Sequence, residues 1–365
     1  MATIPGSAAL YSAQRQFIRE MNNEMLTVVG RIQALIISSA AQVVERDGQR
    51  VHIIPPENER RLITAAGDEL ERFYVGADFR HAFAPDGVSP LSPYARLLNK
   101  WLVLPQWAVV RSNARFLRRR LKNHPDILRW LASRRPSAEQ ESRSNPLAAY
   151  SPAHTWVDPN GYRLSDRIWR AGFDARVRLD AMLRDAIEQG TGALELSKQL
   201  EQFLLPEAKG LTTTRPYGKR ANYHALRLAR TEIARAHAEA SRAAALGNPY
   251  VDGMEFRLSI AHPKIDICDR LATIGMNGER LRDPYPITSN FPLPVVSSHV
   301  NCLCVCYGSS SVSTQQLVDY FRGMIETGAP PPVTVVGGYE FFVALVGFLL
   351  AQLVPPEERE LEEAA

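Results

Sequence analysis

The sequence changes character at Gly253, and this change constrains the fold more than any other feature. Before Gly253, apolar residues recur at intervals of three and four over long stretches, which is typical of amphipathic helices. After it, Met254 to Ile260 alternates in polarity and Cys302 to Gly308 is rich in β-branched and sulfur side chains, as strands are. We therefore predict an α+β fold, with mostly helical N-terminal and middle regions and a small β-containing C-terminal domain.

The helical patterns and the turn residues between them predict three regions. Residues 1–150 form a helical N-terminal region with a basic stretch, 151–310 a middle domain, and 311–365 C-terminal helices with an acidic tail. The Ser, Glu and Pro residues between Pro136 and Pro152 are typical of a linker. The predicted helices are one long or two short helices within Ser12 to about Val44, then Glu57 to Tyr74, Tyr94 to Trp101, Ala108 to Leu131, two within Leu164 to Phe203, Ala221 to Leu246, and Val312 to Ile325.

Positive charge is concentrated in one part of the chain. The formal net charge of the whole protein is only +4, yet the stretch from Arg111 to Arg143 holds ten basic and three acidic residues, a local +7. Basic side chains on one helix face neutralise phosphates, so Arg111 to Arg135 is a candidate DNA contact. A solvated helix face followed by an exposed linker is the alternative. The candidate nucleic-acid-binding residues are Arg118, Arg119, Arg120 and Lys122.

The segment from Tyr339 to Val354 is almost entirely apolar but short. A membrane-spanning helix needs about 20 apolar residues, and this segment also contains Glu340 and Gln352. It predicts a buried helix, or a helix that docks on another protein, and we expect no membrane partner. The N-terminal residues lack the basic and apolar regions of a secretory signal, so we expect a reducing compartment.

All four cysteines lie between Cys268 and Cys306, which favours metal binding over disulfides in such a compartment. Thiolates and imidazoles are the ligands that zinc selects, and four of them close a structural site. The alternatives are buried thiols that pack as small apolar side chains, or a reactive thiol. The candidate groups are His262, Cys268, His299, Cys302, Cys304 and Cys306.

Spacing favours Cys268, His299, Cys302 and Cys304 as the zinc ligands. His299 and Cys302 are three residues apart, and Cys302 and Cys304 lie on one face of a strand because side chains alternate along it. Cys268 completes the set by folding back from the preceding loop. The carboxylates beside it, Asp266 and Asp269, are expected to cap that turn or to hold the loop.

No complete catalytic motif is present. The tripeptide from His237 to Glu239 matches half of a zinc deaminase site, but the P-C-x-x-C half is missing. The chain also lacks a G-x-S-x-G elbow and a phosphate-binding loop. We therefore expect a protein that is not an enzyme, and a metalloenzyme or a toxin-like transferase has the least support.

The order of several motifs resembles the Mu F-like family of phage head morphogenesis proteins. In that family, an ARTE-type helix is followed by a loop with aspartate and cysteine, a stretch with glycine, and a closing H-x-x-C-x-C. The resemblance covers about Leu164 to Gly308, and Cys306 lies outside the pattern. The matching residues are Arg230 and Glu232, Asp266 and Cys268, Gly275 or Gly278, and His299, Cys302 and Cys304.

The resemblance implies a structural role. Members of the family are minor head proteins that associate with portal and capsid proteins, and some are similar to proteins that touch packaged DNA. It implies a virion protein, present in the host cytoplasm during assembly, of a phage or prophage. Arg230 and Glu232 would then pin their helix to the β-containing unit, the alternative being ordinary surface charges. A nucleic-acid-binding protein with a zinc-stabilised module is the alternative function.

Overall fold

The protein has an α+β fold with helical N-terminal and middle parts, as the sequence predicts. A computed structural model describes residues 2–3, 7–77, 82, 90–133, 161–205, 223–246, 251–259, 262, 265–287 and 304–328. The predicted linker and the apolar segment 339–354 lie outside these residues. The elements are β1 (Ala2–Thr3), α1 (Ser7–Ser39), β2 (Gln42–Arg46), β3 (Gln49–Ile53), α2 (Pro56–Val75), α3 (Pro93–Arg120), α4 (Pro125–Ser133), α5 (Leu164–Glu188), α6 (Ala193–Leu204), α7 (Tyr223–Leu246), β4 (Gly253–Arg257), α8 (Ile267–Leu271), β5 (Tyr285–Pro286), β6 (Val305–Ser310) and α9 (Thr314–Thr327).

The chain divides into two compact units, each built from separate segments. The first, here called the helical unit, comprises Ser12–Trp101 and Pro152–Glu232. The second, called the sheet unit, comprises Met1–Tyr11, Leu102–Ser151 and Ile233–Ala365. The divisions therefore fall within α1, within α3 and within α7.

The helical unit packs around buried aromatic side chains. Helix α2 lies against α5, and the rings of Phe73, Tyr74 and Tyr94 form edge-to-face or tilted pairs with centroids 5.0 to 6.0 Å apart. Tyr94 is completely buried, and its hydroxyl donates a hydrogen bond to the Ala225 carbonyl at 2.7 Å. This bond satisfies a phenol that would otherwise be costly to bury.

The first helix ends earlier than its hydrophobic pattern predicts. The helix expected to reach Val44 ends at Ser39, and the residues that follow form an antiparallel hairpin of β2 and β3. Asp47 and Gly48 make the turn with φ angles of 50° and 74°. Two successive positive φ angles match the twist of a two-residue hairpin, and Asp-Gly is among the sequences that adopt them most readily.

Helix α3 is one continuous helix where the sequence predicts two. It runs through Pro105, although proline removes one backbone hydrogen bond from a helix interior. Buried residues lie on both sides of the proline, among them Leu98 and Leu102 before it and Phe116 and Leu117 after it. The second predicted helix is instead divided near its end, because α4 begins at Pro125, where proline is well tolerated.

The sheet unit contains a four-stranded antiparallel sheet in the order β1-β6-β4-β5. The register places Phe256 of β4 opposite Cys306 of β6. Both residues belong to a buried apolar cluster that also includes side chains from the end of α3, from α4 and from α9. The strand prediction at Met254 is confirmed, and the one at the C-x-C-x-C stretch is confirmed from Val305 onward, since Cys302 lies outside the described residues. The core surrounds the two central strands.

Strand β4 is buried on both faces, whereas its alternating sequence predicts a strand with one polar face. Glu255 is completely buried, yet its carboxylate has partners. The Thr273 hydroxyl donates to it at 2.7 Å, and the Arg280 guanidinium forms an ion pair with it at 2.9 Å. The alternation in the sequence therefore does not indicate that the Glu255 face of the strand meets water. The buried carboxylate is tolerated because Arg280 neutralises it and Thr273 donates a hydrogen bond to it.

None of the helices in the described ranges combines the length and the apolar character of a membrane span.

Candidate metal centre

The loop between β4 and α8 is held by two aspartates. The Asp266 carboxylate caps α8 by accepting a hydrogen bond from the Cys268 backbone N–H at 2.6 Å. The Asp269 carboxylate accepts from the Asp266 N–H at 2.7 Å, which completes a reciprocal capping arrangement. The prediction that these aspartates cap the turn and hold the loop is confirmed. Both carboxylates have fixed orientations as a result.

His262 projects its ring toward these two carboxylates. Its side chain is only 4% exposed, and its Nε2 lies 2.9 Å from Asp269 Oδ2 and 3.8 Å from Asp266 Oδ1. The carboxylates remain partly accessible, with side-chain exposures of 26% for Asp266 and 29% for Asp269. The imidazole therefore forms the buried wall of a small polar cluster, and the carboxylates form its outer side.

Cys304 contacts the opposite side of the same ring. Its Sγ lies 3.9 Å from His262 Nδ1, at the residue that immediately precedes β6. Cys268, Cys304 and Cys306 are all buried in the core cluster of the sheet unit. None of these three forms a disulfide with another described cysteine. The thiols thus lie beside the polar cluster and within the apolar core.

The Asp269 carboxylate is stabilised in its charged form. The hydrogen bond from the Asp266 backbone lowers its pKa below the ordinary aspartate value, and the hydrogen bond from His262 lowers it further. A carboxylate that stays ionised and partly exposed is well suited to a cation.

His262, Asp266 and Asp269 have the donor types and the spacing to hold a metal ion. One ligand atom from each lies within 4.8 Å of the other two. A tetrahedral zinc ion with bonds of about 2.0 to 2.2 Å holds neighbouring ligand atoms roughly 3.3 to 3.5 Å apart. The two distances from His262 Nε2, 2.9 Å and 3.8 Å, fall on either side of that separation. One nitrogen and two oxygens are also ligands that zinc accepts.

Only part of the predicted ligand set lies in the described residues. Cys268 and Cys304 are placed in one core, as the folding back of the loop requires, while His299 and Cys302 lie outside the described residues. Within the described chain, the group of metal-binding side chains includes neither cysteine. From the sequence, Asp266 and Asp269 are expected only to cap the turn or to hold the loop. The signal that could have revealed a second role is the spacing H-x-x-x-D-x-x-D.

Arg230 and Glu232 of α7 are both buried, so they are not ordinary surface charges. Glu232 forms an ion pair with Arg167 of α5, and the Arg230 carbonyl accepts a hydrogen bond from the Gln14 side chain at 3.4 Å. All four residues belong to the helical unit. The Glu232 side chain therefore pins α7 to a helix, whereas the sequence analysis expected the β-containing unit.

The predicted nucleic-acid-binding residues lie at and just after the end of α3. Arg118, Arg119 and Lys122 are exposed, as is Arg115. Arg115, Arg118 and Arg119 follow a spacing of three and four residues, so they share one helix face, and Lys122 lies in the turn that follows the helix. Arg120 differs from them. Its guanidinium donates to the Val312 carbonyl and lies over the Phe116 ring, 5.6 Å from the centroid.

The fold and this cluster define an α+β protein with a candidate metal centre in the loop before a short helix of its sheet unit. No family model, curated protein or solved structure matches the chain.

Proposed function

We propose that the protein is a minor head protein of a phage or prophage, with a structural role in capsid assembly at the portal. One observation carries this proposal. Glu232, Asp266 and Cys304, which match the Mu F-like motif, are all engaged in holding their own unit together, by an ion pair, a helix cap and core packing. Such roles support a protein that acts as a scaffold for protein contacts.

The proposal is tested by following the protein during capsid assembly. The chain is co-expressed with the portal and major capsid proteins of the same phage, and the particles are separated on a density gradient. We expect the chain to sediment with particles that contain portal and to be absent from shells assembled without it. Recovery of the chain only at the top of the gradient, beside portal-containing particles, would contradict the proposal.

We also propose that a zinc ion with a structural role is held by His262, Asp266 and Asp269, with water as its fourth ligand. When zinc binds His262 through Nε2, the other ring nitrogen carries a proton and faces Cys304 Sγ, so the thiol orients the imidazole. The hydrogen bonds that Asp266 and Asp269 accept from backbone N–H groups orient the carboxylates in the same way. Zinc supplies a cross-link between the loop that carries His262 and Asp266 and the short helix that carries Asp269.

A set of Cys268, His299, Cys302 and Cys304 is the other way to hold zinc in this unit. Variants separate the two sets, since Asp269→Asn removes zinc only from the aspartate site and Cys302→Ser only from the thiolate site. We expect the zinc content to fall in the Asp269 variant and to be retained in the Cys302 variant. The reverse result assigns the metal to the thiolate set.

DNA contact through the end of α3 is a second function, favoured by the shared face of Arg115, Arg118 and Arg119 and by the exposed Lys122 in the turn that follows. We assign the contact to Arg118, Arg119 and Lys122, since Arg120 is engaged within the sheet unit. Asp126, at the start of α4, is an exposed acid close to them in sequence. The excess of positive charge along one helix face suits a phosphate backbone.

Neutralising Arg118, Arg119 and Lys122 together to Gln is expected to weaken binding to duplex DNA and to flatten its salt dependence. Each lost phosphate contact lowers the slope of log K against log salt by about 0.9, so the slope is expected to fall by roughly two to three. Fluorescence anisotropy across a salt series measures it. Neutralising the exposed Arg50, Arg60 and Arg61 of the helical unit is the control. Equal slopes in both triple variants would exclude this surface.

A further inference from the structure

Helix α5 carries an apolar stripe on its solvent-facing side. Trp169, Phe173 and Val177 are 46%, 47% and 51% exposed and are spaced by four residues, and the exposed Ala181 continues the series. The rings of Trp169 and Phe173 stack with their centroids 5.5 Å apart and their planes 12° apart. The two aromatic side chains therefore present one continuous apolar surface to solvent.

The opposite side of α5 is already used inside the helical unit. Its buried residues include Ile168, Ala175, Leu179 and Leu183, and the helix packs against α2. Single exposed apolar side chains are common on protein surfaces, but a series along one helix face marks an interaction surface. Helix α5 therefore packs one apolar side within the unit, and its solvent-facing side combines the apolar stripe with exposed charged residues such as Arg170.

The exposed side of α5 is complementary to itself when two copies run antiparallel. A two-fold axis on the exposed side of the helix, at the level of residue 175, brings Trp169 of one copy level with Ala181 of the other, and Phe173 level with Val177. The same axis places Asp166 opposite Arg184, and both of these side chains are exposed. Large side chains thus meet smaller ones, and opposite charges meet at both ends of the stripe.

We propose that this face of α5 is a homodimer interface whose partner is a second copy of the same chain, packed antiparallel about that two-fold axis. A two-fold interface uses the same patch on both copies, so each complementary pair occurs twice. The charge pattern favours a second copy as the partner, because Asp166 and Arg184 are equally distant from the axis and opposite in sign. This inference does not depend on the proposed role in capsid assembly.

The size of the stripe sets the expected affinity. The helix between Asp166 and Arg184 is about 27 Å long, and one helix face buries less than the roughly 800 Å² per partner of a typical stable interface. We therefore expect a dimer that dissociates on dilution, with a dissociation constant in the micromolar range.

Sedimentation velocity of the full chain from about 1 to 200 μM tests the interface. The wild-type protein is expected to shift from monomer to dimer across this range. Phe173→Ser removes two apolar contacts per dimer and is expected to weaken the affinity at least tenfold. Leu194→Ser, on α6 of the same unit, is the matched control, because Leu194 is 75% exposed and lies outside the stripe. This control is expected to dimerise like the wild type.

A charge exchange tests the antiparallel arrangement through rescue, which the loss of the hydrogen bond that Asp166 accepts from the Arg163 N–H at the start of α5 cannot produce. Asp166→Arg alone and Arg184→Asp alone place like charges opposite each other, so each variant is expected to dimerise about tenfold more weakly. An equimolar mixture of the two variants pairs opposite charges at both ends and is expected to restore dimerisation as a heterodimer. A wild-type protein that stays monomeric at every concentration, or a mixture no better than the single variants, would overturn the proposal. Binding of a different protein to this face by a monomeric chain would do so as well.

Discussion

Replacing Glu232 by Gln is expected to lower the free energy of unfolding of the helical unit by about 3 to 5 kcal/mol. The side chain of Glu232 is completely buried, and that of Arg167, its ion-pair partner, is 13% exposed. Glutamine keeps the shape of the side chain but removes its negative charge. The Arg167 guanidinium would then be a buried cation whose counter-charge is lost, and this costs far more than losing an exposed ion pair.

Urea denaturation followed by fluorescence measures this loss, since Trp101 and Trp169 both belong to the helical unit. Glu188→Gln is the matched control, because Glu188 lies on α5, as Arg167 does, and is exposed. It is expected to change the stability by less than about 0.5 kcal/mol. A loss below about 1 kcal/mol in Glu232→Gln would show that the pair does not stabilise the unit.

Replacing both partners separates the ion pair from the shape of the site. Methionine at both Arg167 and Glu232 removes both charges and fills the space with flexible apolar side chains. A buried ion pair can be exchanged for apolar residues at little cost, so the double variant is expected to recover most of the stability that Glu232→Gln loses. A double variant as unstable as the single one would mean that packing and not charge is responsible.

Removing the metal is expected to destabilise the sheet unit by about 4 kcal/mol if free zinc is first held near a thousand times its dissociation constant. The ion is proposed to join the loop that carries His262 and Asp266 to the short helix that carries Asp269. Chelation would release that cross-link, and β4, α8 and β6 would open more often. Hydrogen exchange resolved by mass spectrometry measures this opening in each segment of the full chain.

The same measurement contains its own control, because peptides from α2, α5 and the part of α1 after Tyr11 belong to the helical unit and are expected to keep their protection. Asp269→Asn is expected to resemble the chelated protein, since asparagine retains an oxygen that can accept the Asp266 N–H. Asp319→Asn, at an exposed position on α9, is expected to respond to zinc like the wild type. Unchanged protection of the sheet unit after chelation would exclude a structural metal.

Local features of the fold could be predicted from the sequence because their causes are local. The breaks at Gly190 and Gly192 divide α5 from α6, and the apolar periodicity identifies α7. The cap at Asp266 follows from a short polar side chain that accepts hydrogen bonds from the next backbone N–H groups. In each case, the residues that determine the structure are within about four positions of one another.

Contacts between residues that are far apart in the sequence could not be predicted from local sequence patterns. Arg167 and Glu232 are 65 residues apart, and Arg280 and Glu255 are 25 apart. The Mu F-like motif singles out Glu232 but does not identify its partner, and nothing in the sequence separates Glu255 from a surface charge. The sequence identifies His262 as a candidate metal ligand, but it does not predict which residues contact the ring, because Asp269 lies in α8 and Cys304 lies just before β6. Only folding places the thiol on one ring nitrogen and the carboxylate on the other.

The proposed zinc ion at His262, Asp266 and Asp269 is tested most directly by the metal content of the purified full chain. Inductively coupled plasma mass spectrometry of protein prepared without chelators is expected to find about one zinc ion per chain. The content is expected to fall to background in His262→Ala and in Asp269→Asn, and to stay unchanged in Asp319→Asn. A folded wild-type protein that contains neither zinc nor another transition metal would contradict the claim.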